Sequence, residues 1–114
     1  MTLEDLYEAF GGSYRDTAAK FGDVELLKRF VRKFATDSSF EQLKQALQNG
    51  ETETAFRACH TLKSSCQNLG FTGISMICVE MNELLRRSLL DDARSKLPEL
   101  EKRYKELMDA ISKL

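Results

Sequence analysis

The sequence predicts an all-α fold, an antiparallel up-down four-helix bundle with additional short N-terminal helices, and three observations point to it. The 114 residues contain one proline, Pro98, and six glycines, so long blocks remain in which a helix meets no breaker. Within those blocks apolar residues recur every three to four positions, the period of an amphipathic helix rather than of a strand. The connections left between the blocks are short, which sets successive helices antiparallel.

Thr2 can cap a first short helix, with Asp5 three residues on, and Leu3, Leu6 and Phe10 face the core until Gly11-Gly12 ends it. A second short helix runs from about Tyr14 to Phe21 and stops at Gly22. Asp23 is a good N-cap for a third, in which Val24, Leu27, Val31 and Phe34 form the stripe and Leu26 and Phe30 widen it. At Asp37-Ser38-Ser39 the chain bends or pauses, and Phe40, Leu43, Ala46 and Leu47 resume the pattern up to Asn49-Gly50; one kinked helix or two both fit. The next helix, about Thr52 to Leu69, puts Ala55, Cys59, Leu62, Cys66 and Leu69 on one face before Gly70. Ile74, Ile77, Cys78, Met81, Leu84 and Leu85 make another from about Thr72 to Ser88. After Asp91-Asp92 a last helix carries Leu97, Leu100, Tyr104, Leu107 and Ile111. Met76, Met81 and Met108 read as core or boundary residues.

A chain of this length fits one domain, residues 1–114, with one modest core. Seventeen basic and eighteen acidic residues give a net charge of −1, so no broad field favours a nucleic-acid backbone or an anionic membrane. No stretch reaches the roughly 18 apolar residues of a spanning helix, and the N-terminus MTLEDLYEAF lacks the basic and apolar regions of a signal peptide. A cytoplasmic, free-standing protein that begins at Met1 is therefore expected, with a monomer as the default because no heptad seam is left over. Cys59, Cys66 and Cys78 are odd in number and lack CxxC spacing, so neither a disulfide framework nor a metal site is expected. Cys59 and Cys66, one heptad apart on the buried stripe, read as small hydrophobes. No nucleotide-binding loop is present, and Gly11-Gly12 reads as a turn, so no cofactor is implied.

The one histidine, His60, carries the chemistry. At about 100° per residue it falls about 140° from the centre of its helix's apolar stripe, and therefore faces solvent. Phe56, Lys63 and Gln67 lie on the same side, and Ser64 lies opposite the stripe. Lys63 at i+3 and Ser64 at i+4 are the positions that meet His60 on a helix surface, one bringing positive charge and the other little bulk. Neutral imidazole keeps one nitrogen free as a nucleophile while the other holds its proton. A phosphoryl group on it would be stabilised by the Lys63 ammonium, and the small residue at 64 leaves an in-line path to the ring open. A lone surface histidine more often has no task; these neighbours shift the balance.

The segment His60-Thr61-Leu62-Lys63-Ser64-Ser65-Cys66-Gln67-Asn68-Leu69-Gly70 resembles the signature of histidine-containing phosphotransfer (HPt) domains: a histidine, a lysine three on, a small residue at the fourth and a glycine about ten on. It departs from the family's usual glycine at Ser64, whose hydroxyl can instead donate to a phosphoryl oxygen. The resemblance implies a four-helix bundle and a phosphocarrier without kinase machinery of its own. It implies as partners response-regulator receiver domains and a hybrid sensor histidine kinase in a multistep, bacterial-type phosphorelay, with Mg²⁺ at the partner's aspartate and none here. It also implies a polar side chain on the following helix bonded to the inner ring nitrogen, a position that Asn82 matches by spacing, with Arg86 one turn further. For both, a solvated polar face is the competing reading. Phe56 is a candidate apolar contact for a docking partner, or packs against the preceding helix. Two alternatives to transfer are a helical docking module that binds receivers without exchanging phosphate, and an unrelated structural bundle.

Overall fold

The computed structural model describes all 114 residues as eight helices with no strand. They are α1 (Leu3–Phe10), α2 (Tyr14–Phe21), α3 (Val24–Phe34), α4 (Ser39–Asn49), α5 (Thr52–Leu69), α6 (Thr72–Arg86), α7 (Leu90–Arg94) and α8 (Leu97–Ile111). The all-helical class expected from the sequence is the one observed. One cluster of buried apolar side chains runs from Leu3 to Ile111 and takes residues from every helix except α2. At its centre α5 is packed along α4 on one side and α6 on the other, and α8 lies against α6.

The helix ends follow their local chemistry. At α1 the Thr2 hydroxyl accepts from the Asp5 amide while the Asp5 carboxylate accepts from the Thr2 amide, a reciprocal cap. Ser13 and Asp23 cap α2 and α3 in the same side-chain-to-amide manner. The break at Asp37-Ser38-Ser39 separates two helices, because the last carbonyls of α3 are taken up by a tight turn through Thr36 and Asp37 and the Asp37 carboxylate accepts from the Ser39 amide at 2.7 Å. Ion pairs Lys44–Glu101 (2.6 Å) and Lys96–Glu80 (2.9 Å) tie α8 to α4 and α6.

Several expectations need correction. Val24, expected in the stripe of α3, is 44% exposed, Phe30, expected to widen that stripe, is 42% exposed, and Met76 is 65% exposed on the outer face of α6. Tyr7 and Phe71, assigned to no stripe, are fully buried and stack on each other with ring centroids 5.3 Å apart. Asp91 and Asp92 precede the last helix as expected, but they also form the first turn of a short helix of their own, α7, where acidic side chains meet the positive end of the helix dipole. The expected helix to Ser88 stops at Arg86, because Ser88 takes up a left-handed φ of 58°.

Candidate functional site

The site is built on α5, at 18 residues the longest helix. Its inner face, Ala55, Ala58, Cys59, Leu62, Cys66 and Leu69, is buried throughout, so packing on both sides holds its outer face rigidly. The Cys59 thiol donates to the Cys78 carbonyl at 3.4 Å, which sets the register between α5 and α6. The C-terminal end is closed by Gly70 in the left-handed region, φ 78°, with the Gly70 and Phe71 amides returning to the last carbonyls of α5.

His60 stands in the middle of this outer face and is exposed. Its ring lies nearly parallel to that of Phe56, one turn earlier, with centroids 6.5 Å apart and planes 17° from parallel. Lys63 is half-buried with no ion pair, so its ammonium is uncommitted on the helix surface beside the histidine. Ser64 and Gln67 are exposed on the same face. His60, Lys63, Ser64 and Gln67 thus form one contiguous polar strip of α5.

The three remaining residues lie on the flank toward α6. Asn82 is not part of a solvated face: only 7% of it is exposed, and its Oδ1 is buried without a hydrogen-bond partner, so it makes no bond to the His60 ring here. Arg86 is exposed but committed, since two of its guanidinium nitrogens bond the Glu83 carboxylate. That contact, and not the histidine, is its partner. Phe56 is half-buried against α6, the following helix, where it lines a shallow groove with Leu85 and Arg86.

Beneath the site the three cysteines are free and buried. A side-chain hydrogen bond between the Cys78 and Cys59 thiols, in which the Cys78 S–H is the donor, together with burial pushes Cys78 well above its usual range, and burial pushes Cys66 up to about 12. Nowhere do three His, Cys, Asp or Glu side chains converge as metal ligands would. No helix is long and apolar enough to cross a membrane.

The family model described as Hpt domain matches residues 25–112, more than three quarters of the chain, including the whole of α5 and α6. The chain belongs to the Hpt domain family. Hpt domains serve histidine phosphotransfer in phosphorelay signalling and interact there with receiver domains and kinases. No curated protein and no solved structure matches the chain.

Proposed function

We infer that His60 is the phosphoacceptor of a multistep phosphorelay and carries a phosphoryl group between the aspartates of receiver domains. The observation that carries this reading is an exposed imidazole at the centre of a rigid helix, with an uncommitted ammonium at i+3 and a small side chain at i+4, in an Hpt-family chain with no other histidine. An unprotonated ring nitrogen attacks the phosphorus of an aspartyl phosphate. The P–N bond forms as the P–O bond to the aspartate breaks, the carboxylate leaves with the electron pair, and the second ring nitrogen keeps its proton. The reverse step delivers the group to another aspartate.

In this reading Lys63 offsets the charge of the phosphoryl group in transit, while Ser64 and Gln67 leave access open and offer polar contacts. The unpartnered Oδ1 of Asn82 serves as acceptor for the ring N–H when the histidine is loaded. Arg86, bound to Glu83, has no direct part, and Phe56 supports the ring. The chain supplies no metal and no kinase activity; the Mg²⁺ belongs to the receiver, and the phosphate originates from a hybrid sensor histidine kinase. Residues 1–114 act as one unit, a monomer, in the bacterial-type cytoplasm where such kinases and receivers meet.

The test is incubation of wild-type protein and His60→Gln with phosphorylated receiver domains. Acid-labile, base-stable label on wild type alone is expected, with unchanged circular dichroism for the variant because the side chain is exposed. Equal labelling of both proteins would rule His60 out, and binding of receivers without any label would favour a docking module.

A further inference from the structure

The flank of α5 that faces α3 differs from the rest of the surface in how its charges are met. The eight ion pairs engage cations on α4 to α8 and on Lys113, and none engages α3. Yet α3 carries Lys28, Arg29, Arg32 and Lys33 against the single acid Glu25. With its buried stripe Leu27, Val31 and Phe34 at zero, Phe30 falls about 60° to one side, and Lys33 and Arg29 lie beyond it on that same side at about 120° and 160°. Phe30 leans on Phe21, ring centroids 5.4 Å apart, and still exposes 42% of its surface.

Between Phe30 and Lys33 on α3 and Ser65 and Asn68 on α5 lies a groove of about 260 Å³. Its far wall is fixed, since the Lys20 ammonium donates to the Asn68 side chain at 2.7 Å. The one acid at its rim, Asp37, is turned to the Ser39 amide. Along α5 this groove begins about 7 Å from His60 and ends about 12 Å from it at 1.5 Å per residue. A protein interface of ordinary size covers about 800 Å² of each partner, a patch roughly 30 Å across. The groove also lies round α5 from the His60 ring, so a partner seated on the ring reaches it by spreading toward α3. On the opposite flank Arg86 is paired with Glu83 and Arg57 with Glu53, so those guanidinium groups are already met within the chain.

We propose that the α3–α5 flank selects the relay partner: it takes a protein whose apolar side chain enters the groove against Phe30 and whose acidic side chains meet Arg29 and Lys33. The proposal rests on the relay reading above and names the partner's chemistry. An exposed aromatic at a groove is an anchor of the kind that dominates binding, and uncompensated charges beside it steer encounter and choose among partners.

The experiment compares wild type, Phe30→Ala, the double variant Arg29→Glu/Lys33→Glu and the control Lys102→Glu, an exposed charge on α8. Each is phosphorylated in two ways, by isolated receiver domains charged with acetyl phosphate and by phosphoramidate, which needs no protein partner. Phosphoramidate should label His60 equally in all four. From the receiver, Phe30→Ala should lose about tenfold in kcat/KM; the double variant should lose tenfold or more and no longer slow as salt rises, and the control should match wild type. Unchanged receiver kinetics and salt dependence in both α3 variants would overturn the proposal. So would unchanged transfer with loss of binding to phosphatidylserine vesicles, which would assign the flank to lipid. Wild type labelled by phosphoramidate but by no receiver would overturn the relay reading itself, and this surface with it.

Discussion

In the proposed relay the histidine becomes a carrier through its neighbours, and charge is the means. Lys63 contributes a charge that nothing in the protein neutralises. A charge-assisted hydrogen bond of this kind contributes about 1.5–3 kcal/mol, so Lys63→Ala should slow transfer from a receiver by about tenfold to a hundredfold, and shorten the life of the phosphohistidine, without changing stability. Rapid-quench transfer kinetics measure the first and decay of the label the second; wild-type values for both would remove Lys63 from the mechanism. The cysteines one layer below are silent for the complementary reason. Burial holds the Cys66 thiol up to about 12, and the side-chain hydrogen bond to the Cys59 sulfur, with burial, holds Cys78 above its usual range. The thiolate is the reactive form and is scarce at neutral pH when the pKa is raised. With folded pKa values above the unfolded ones, the Cys66 and Cys78 thiols stay protonated in the folded protein at pH 9, and the stability this gives declines only as the solution becomes alkaline enough to ionise the same thiols in the unfolded chain. Native protein at pH 8 should therefore react with Ellman's reagent at least tenfold more slowly than the same protein in guanidinium; three rapidly titrating thiols in the native state would refute the buried placement.

On the scale of helices, the glycine ten residues after His60 is a packing requirement. Gly70 turns α5 off with φ 78°, and a Cβ there would sit 2.6 Å from the Thr17 hydroxyl and 3.3 Å from the Tyr7 ring. The Tyr7 hydroxyl also donates to the Leu69 carbonyl, one of the last of α5. Gly70→Ala should thus cost about 2 kcal/mol, from the left-handed backbone and the contact with Thr17 together. Urea denaturation would show it as a lower midpoint at unchanged slope, and a variant as stable as wild type would mean that α2 gives way freely. The same element shows what a sequence makes legible. The bounds of α5, its buried face and the outward placement of His60 follow from periodicity and from Gly70, because these are local properties of one helix. What periodicity missed depends on neighbours: Phe30 belongs to the apolar pattern of α3 but has only Phe21 to lean on. Arg86 and Asn82 share a helix with the right spacing, yet Glu83 takes the first, and burial against α5 separates the second from solvent.

At the scale of the whole molecule, the family's shared region begins at residue 25, and what precedes it is a bracket across the C-terminal end of α5. Leu3, Leu6 and Tyr7 are buried in the common core, Tyr7 stacks on Phe71, and Lys20 holds Asn68. Gly12 approaches so closely that a Cβ on it would fall 1.9 Å from the Gly70 carbonyl oxygen. Burying a large apolar side chain contributes about 1.5–3 kcal/mol, and the ordering of two short helices offsets part of that gain. The balance is still a large share of the roughly 5–15 kcal/mol that holds a domain together. A chain lacking residues 1–22 loses the Tyr7 ring that stacks on Phe71 and the Tyr7 hydroxyl on the Leu69 carbonyl, leaving Phe34 as the remaining aromatic neighbour of Phe71. It should melt at least about 10 °C lower than the full chain, and its amides from Leu69 to Ile74 should exchange first, while those around His60 stay protected longest because α4 and α6 still flank them. Hydrogen exchange read by mass spectrometry separates this from general loosening. Melting within a few degrees of the full chain would make the N-terminal helices dispensable to the bundle, and uniform loss of protection along α5 would mean that the bracket supports the phosphotransfer strip itself and not only the end beyond it.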